Sequence, residues 1–351
     1  MDIMRLLKSL VIILAVFFCL FDSQAHPSWG IACAPDGTIY FVDVMHNGDG
    51  TLWKIQEDGS LQKMITNIHA HQMVLGENGK LYVAEAIWRQ GEIEDEGHNY
   101  LYEITPDGKM DTMIFTDDWD LFFGGGFAIN SASDVYFSMN KQVFQYGEKG
   151  ANAVTPHKFK SVNTIFSDSK DRIWITDRAY KNGTIFVYTK GGGLQEVASN
   201  LIPEDPIDPP FEKPRHQMFY GISEDTDGNI YVAENGWRKI YRIDSNFETT
   251  EYYESRPPWY PVGITFDKSV PVVMEVGYDR RHLGPRVLKQ TPSGGWKILA
   301  KVGDCESGSR KGNKSDIIAL PDPGEMRFMM IGIMLLFAFL SYLFIGKVIS
   351  K

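Results

Sequence analysis

The chain has 351 residues, 43% of them hydrophobic and 13% aromatic, and carries a formal net charge of −10. That length supports a sizeable packed core, and the acidic balance argues against nucleic acid or an anionic membrane surface as a partner. No Gly-x-Ser-x-Gly elbow, His-Glu-x-x-His, phosphate loop or Cys-x-x-Cys occurs, so those motif-borne chemistries are excluded as well.

Residues 1–25 place Arg5 and Lys8 ahead of an apolar run and end on Ser23-Gln24-Ala25. A basic head, a hydrophobic centre and small residues at the −3 and −1 positions make the pattern of a secretory signal peptide, cleaved after Ala25. Cys19 would leave with it. Cys33 and Cys305 then remain, either paired in an oxidising compartment or as two free thiols.

From residue 28 a unit recurs: an apolar strand, a tight turn ending in Gly or a substitute, a strand rich in Tyr, Val and Ile, and in most copies a closing acid. It reads GIACAPDGTIYFVD (30–43), QMVLGENGKLYVAE (72–85), GFAINSASDVYFSM (126–139), TIFSDSKDRIWITD (164–177), GISEDTDGNIYVAE (221–234) and, more loosely, GITFDKSVPVVMEV (263–276). Two copies extend into near-identical phrases, LYVAEAIWR at 81–89 and IYVAENGWR at 230–238. A third strand and a weaker fourth follow most units. Six such units across 28–303 give roughly 46 residues each, the length of a four-stranded blade. The Asp-Gly and Asn-Gly turns predict antiparallel hairpins throughout. The expected fold is therefore an all-β, six-bladed propeller over 26–303.

Residues 304–327 read as a polar stalk. Residues 328–346 form an uncharged run of 19 residues, with Lys347 and Lys351 beyond it. As a helix that run spans about 28 Å, enough for a hydrocarbon core of roughly 30 Å. The lysines favour a short cytoplasmic tail at 347–351 and argue against a lipid-anchor signal. The expectation is a single-pass membrane protein whose propeller lies outside the cytoplasm, in a periplasmic, extracellular or lumenal space. Asn182-Gly183-Thr184 and Asn313-Lys314-Ser315 are sequons for a host that glycosylates.

If strands A to D run outward from the axis, the A–B and C–D turns share one face, and the B–C and D–A connections share the other. The A–B turns are tight, whereas the long insertions at 89–99 and 200–216 fall on the D–A/B–C face. Long irregular loops on a rigid scaffold are where function concentrates, so this face is the candidate binding surface. After most second strands comes an acid, then an aromatic and a base: Glu85 with Trp88-Arg89, Asp177 with Tyr180-Lys181, Glu234 with Trp237-Arg238, and more loosely Glu275 with Tyr278 and Arg280. A structural role, with the acid bonding loop amides and the aromatic sealing the gap between blades, accounts for the repetition. The resulting rim suits polar or sugar-like ligands or a protein. By register, Trp29, His71, Gly125, Asn163, Tyr220 and Val262 enter the innermost strands and line the axial funnel. Candidate ligand-binding residues are therefore Trp29, His71, Asn163, Tyr220, Trp88, Arg89, Trp237 and Arg238.

The unit Gly-Ile-x-x-x-x-Asp-Gly-x-Ile-Tyr-Val-Ala-Asp/Glu, followed by an Arg-Ile or Lys-Ile strand, resembles the NHL-repeat propellers. It is similar also to the wider gluconolactonase (senescence-marker-protein) and strictosidine-synthase-like superfamily of six-bladed propellers. The resemblance covers 28–303 and implies the fold more specifically than the function, because such propellers include hydrolases, lyases and binding scaffolds. A gluconolactonase-like site implies a Ca-type divalent cation held by carboxylate and amide oxygens at the funnel. Asn163 matches one such position, while Tyr220 and Val262 stand where an acid is required. A lyase of the peptidyl-hydroxyglycine type implies zinc on funnel histidines, with His71, His69 and His216 as candidates. The first expectation is a membrane-anchored module binding a small molecule or protein, without nucleic acid. The alternative is a metal-dependent hydrolase or lyase using Zn or Ca, with Tyr220 and Arg89 as catalytic candidates.

Overall fold

The computed structural model describes residues 28–44, 50–89, 96–116, 126–139, 141–147, 150–202, 219–277 and 284–302, with the backbone alone for 86–89 and 96–98. These residues form 24 strands in six four-stranded antiparallel sheets. The sheets are β1–β4 (31–66), β5–β8 (70–116), β9–β12 (127–153), β13–β16 (162–198), β17–β20 (219–254) and β21–β24 (259–301). Every sheet is cut from one continuous stretch, with its strands in chain order. The expected six-bladed, all-β propeller is the observed fold.

Burial follows strand position. The second strands β2 (Ile39–Asp43), β14 (Ile173–Asp177) and β18 (Ile230–Glu234) are buried along their whole length. Both faces of each sheet pack against neighbouring blades, which is why these strands read as unbroken apolar runs rather than as alternation. The fourth strands β4 (Leu61–Thr66) and β20 (Thr249–Glu254) are half exposed and carry the polar residues. The hydrophobic core is accordingly divided between blades. The largest cluster, including Trp29, Phe41, Tyr220, Tyr260 and Val262, unites blades 5, 6 and 1. It closes the ring by side-chain packing, helped by the Cys33 N–H donating to Thr265 Oγ1 at 3.2 Å.

The A–B turns share one backbone device. A residue in the left-handed region stands just before the second strand: Gly37 (φ 86°), Gly79 (φ 74°), Ser133 (φ 64°), Asp171 (φ 56°), Gly228 (φ 81°) and Lys268 (φ 58°). In blades 1, 2 and 5 an Asx side chain fixes the turn, with Thr38 N–H on Asp36 at 2.9 Å, Lys80 N–H on Asn78 at 3.0 Å and Asp227 N–H on Asp225 at 2.9 Å.

The loop expected at 89–99 is corrected by the structure. Strand β6 (Leu81–Arg89) and β7 (Glu96–Ile104) are nine residues each and stay paired out to Arg89↔Glu96. Residues 89 and 96–99 of that stretch belong to a hairpin ladder that carries the two strands beyond the blade, and 90–95 lies between them, outside the described residues. Cys33 is a free cysteine, and Cys305 lies outside the described residues. The signal peptide, stalk, transmembrane segment and tail expected at 1–25, 304–327, 328–346 and 347–351 also lie outside them. Among the described residues, no helix is long and apolar enough to cross a membrane.

Candidate functional site

The innermost strands are interrupted where the funnel was expected. In β5 (Ala70–Leu75) the pairing steps from Ala70↔Glu85 to Met73↔Val83, so His71 and Gln72 together oppose one residue. β13 (Val162–Ser167) does the same at Asn163-Thr164, and β17 (Phe219–Glu224) at Tyr220-Gly221. In β21 (Trp259–Asp267) Val262 is the extra residue. A β-bulge bends the strand and re-aims its side chains, and here it repeats around the ring at one level. In blades 5 and 6 a glycine stands at this level, where the inner strands meet too closely for a side chain. A Cβ on Gly221 would lie 2.9 Å from the Gly263 Cα, and one on Gly263 would lie 2.8 Å from the Trp29 carbonyl oxygen.

The structure brings four candidates together. Trp29 stacks on His71 with ring centroids 5.5 Å apart and tilts against Tyr220 at 5.6 Å. His69 meets the His71 ring edge-on at 4.9 Å. The Trp29 and Gly30 N–H groups both donate to the His71 carbonyl, at 2.7 and 3.1 Å, which ties blade 1 to blade 2. Trp29 and Tyr220 are buried at 7% and 2% exposure, while both imidazoles are half-buried. The result is an aromatic floor bearing two reachable histidines. The Trp29 indole N–H is buried with no hydrogen-bond partner among the described residues.

Other candidates lie apart. The Asn163 side-chain amide donates to the Phe219 carbonyl, linking blades 4 and 5. Val262 is core. Trp88 and Arg89 stand on the projecting hairpin, paired with Gly97 and Glu96, and their side chains are not described. Trp237 and Arg238 belong to a turn at the end of β18; Arg238 has φ 59°, and the Lys239 ammonium lies 5.8 Å from the Trp237 ring centre. His216, Gly125, Tyr278 and Arg280 lie outside the described residues. Among the described residues, no three His, Cys, Asp or Glu side chains converge as metal ligands.

The repeated acids hold backbone. Asp177 accepts N–H groups from Lys160 at 2.6 Å, Ser161 at 2.9 Å, Ala179 at 3.1 Å and Tyr180 at 3.2 Å. Glu234 accepts Gly236 at 2.5 Å and Trp237 at 2.7 Å, and Glu85 accepts His69 at 2.9 Å. Glu275 instead takes the hydroxyls of Tyr253 and Ser255 and the Arg286 guanidinium, which itself stacks 4.0 Å from the Trp259 ring centre. Complete burial pushes the Glu234 carboxyl up to about 8, against the opposing pull of its two N–H donors.

One axial residue escaped the sequence reading. Gln72 is buried; its amide nitrogen donates to the carbonyls of Phe127 at 2.8 Å and Ile165 at 3.2 Å, and its oxygen accepts the Phe127 N–H at 3.1 Å. It therefore sews blades 2, 3 and 4 together. The signal was present, since the first position of the unit is Gly in four copies and Gln only here.

No family model and no curated protein sequence matches the chain. Solved structures do. The luciferin-regenerating enzyme superposes with a TM-score of 0.52 at 12% identity, over 80% of this chain and 97% of that one. An auxiliary nutrient binding protein from Bacteroides ovatus ATCC 8483 gives 0.50 at 11% identity, over 76% and 70%. A streptogramin B lyase gives 0.49 at 17% identity, over 79% and 85%. At these identities the likeness shows the fold alone, and that fold is the six-bladed β-propeller.

Proposed function

We propose that this chain is a binding module of the NHL and gluconolactonase type, tethered to a membrane by 328–346, with its propeller outside the cytoplasm. Its D–A/B–C face receives a polar, sugar-like ligand or a protein surface at the funnel. The observation that carries this reading is the junction of Trp29, His69, His71 and Tyr220 from three blades, with a buried indole N–H that a ligand acceptor would satisfy. The long blade 2 hairpin rises from the same face.

The test titrates the full chain with a panel of neutral oligosaccharides, following Trp fluorescence and calorimetry. Saturable binding that falls about tenfold or more in His71→Ala supports the reading, as expected for the loss of an aromatic or hydrogen-bonding contact. Binding that ignores His71→Ala, or an absence of binding, defeats the sugar form of it. Elemental analysis of the same protein separates the enzyme alternative. One tightly held Zn or Ca per chain, lost in His71→Ala or Asn163→Ala, would replace the binding module with a metal-dependent hydrolase or lyase.

A further inference from the structure

A cavity of about 490 Å³ lies among the A–B turns, reaching from Gln72 inside to Pro35, Thr226 and Lys268 outside. Gln72, clamped across three blades, stands at its inner end, one residue from the histidine of the other funnel. That volume falls in the range of small-molecule sites, roughly 300–1,000 Å³.

Its walls combine two chemistries. Phe166, Ile222 and Phe266 supply apolar surface, and Glu224 and Asp225 bring carboxylates to the edge. Two more acids stand close by. A Cβ on Gly37 would lie 3.8 Å from Asp267 Oδ1, and Asp36 precedes Gly37 in the same turn. Opposing them are Lys289, spent on an ion pair with Asp267, Lys54, whose charge acts on Asp36, and the exposed Lys268, which leaves four acids against three lysines. The mouth is therefore acidic. Cys33 adds no charge, because burial first, and then the nearby Asp267, push its thiol up to about 12.

We infer that this cavity is a second binding site, for a small organic cation with an ammonium group on an apolar body. The body would lie between Phe166, Ile222 and Phe266, and the ammonium would meet Glu224. Asp225 is saturated by its own turn, taking Asn229, Asp227 and the Tyr231 hydroxyl. Glu224 accepts one hydrogen bond on each oxygen, from the Ser169 N–H at 2.6 Å and its hydroxyl at 2.9 Å, and a carboxylate oxygen can accept two. A bare metal ion fits less well, since no three ligating side chains converge among the described residues. An anion would face the excess of acids.

Calorimetry on the full chain with phenethylammonium, 2-phenylethanol and 3-phenylpropionate tests this. The ammonium should bind one per chain, at least about tenfold tighter than the alcohol, and the carboxylate should not bind. Glu224→Gln should cost about tenfold. Because Glu224 also holds Ser169, Lys268→Glu supplies an independent arm: it alters an exposed turn and should tighten binding severalfold. His71→Ala should leave all these values unchanged, which separates this site from the opposite face. Equal affinity for ammonium and alcohol, no saturable ammonium binding, indifference to both charge variants, or displacement by millimolar Ca2+ would each overturn the inference.

Discussion

Leu81–Arg89 and Ile230–Arg238 differ at only three positions, yet they part company after the shared acid. In blade 2 the strand runs straight on for four more pairs, Ala86↔Asn99 to Arg89↔Glu96, a projection of roughly 13 Å. In blade 5 the strand stops at Glu234, and Asn235–Arg238 turn back, with the Arg238 N–H donating to the Asn235 carbonyl at 3.3 Å. The cause lies in two residues. The β-branched Ile87 suits a pleated ladder and Ala86 does not oppose it, whereas Asn235-Gly236 favours a turn. The acid follows suit: Glu234 caps its own turn, while Glu85 reaches back to His69. A repeated strand thus fixes the blade, and the two residues after it decide whether an arm or a cap decorates the face.

The most severe way to break this contrast is to write blade 2 into blade 5. The double substitution Asn235→Ala, Gly236→Ile should undo the turn and swing the backbone N–H groups of residues 236 and 237 away from the fully buried Glu234 carboxyl, costing about 3 kcal/mol in denaturant unfolding. A change under about 0.5 kcal/mol would show that the turn does not depend on its sequence. The next test uses pH. Glu234 has a folded pKa of about 8 against an ordinary 4.5, so the folded state holds its proton more tightly than the unfolded one. Stability should therefore fall as pH rises between those values, and level off above the folded pKa. Glu234→Gln removes this dependence, so its advantage over the parent should grow from pH 5 to pH 8, on the order of a few kcal/mol. Parallel stability curves would disprove the shift.

Blade 2 also differs by carrying Gln72 where blade 5 has Gly221. Gln72→Gly makes the two alike and strips Phe127 and Ile165 of their partners. We expect a loss of about 2 kcal/mol by chemical denaturation, and a negligible change would mean that the axis does not rely on this side chain. The mildest change is to trim the arm. Replacing 87–98 by Asn-Gly should shift stability by less than about 1 kcal/mol, because a two-stranded ribbon beyond the blade adds little of its own. A larger loss on thermal unfolding would mean that the arm packs back onto the ring.

The blades were legible because turn signals and apolar strands recur at a fixed spacing, and even the loose sixth copy, with Lys268 in place of Gly, forms its turn. The bulges were not. Nothing in a strand's composition announces one extra residue, so the funnel positions could be counted but their re-aiming could not be read. The arm was mistaken for a loop because Glu, Gly and Asn at 91–99 suggest irregular chain, while cross-strand pairing outweighs local preference there. Attention to long loops also drew the reading to one face. The cavity behind the short A–B turns arises only when five blades bring their inner strands side by side, an outcome no single unit encodes.

The contiguous build of each sheet gives the ring a cyclic order without a privileged start. Among the described residues no strand is lent across the seam between blades 6 and 1, so the joint is held by the shared apolar cluster and the Cys33–Thr265 hydrogen bond. Such a circle is held in tension by its grease rather than by a clasp. Strain applied at the rim would be spread over all six joints, and a ligand seated on the axis, touching several petals at once, would act as a hub that stiffens the wheel.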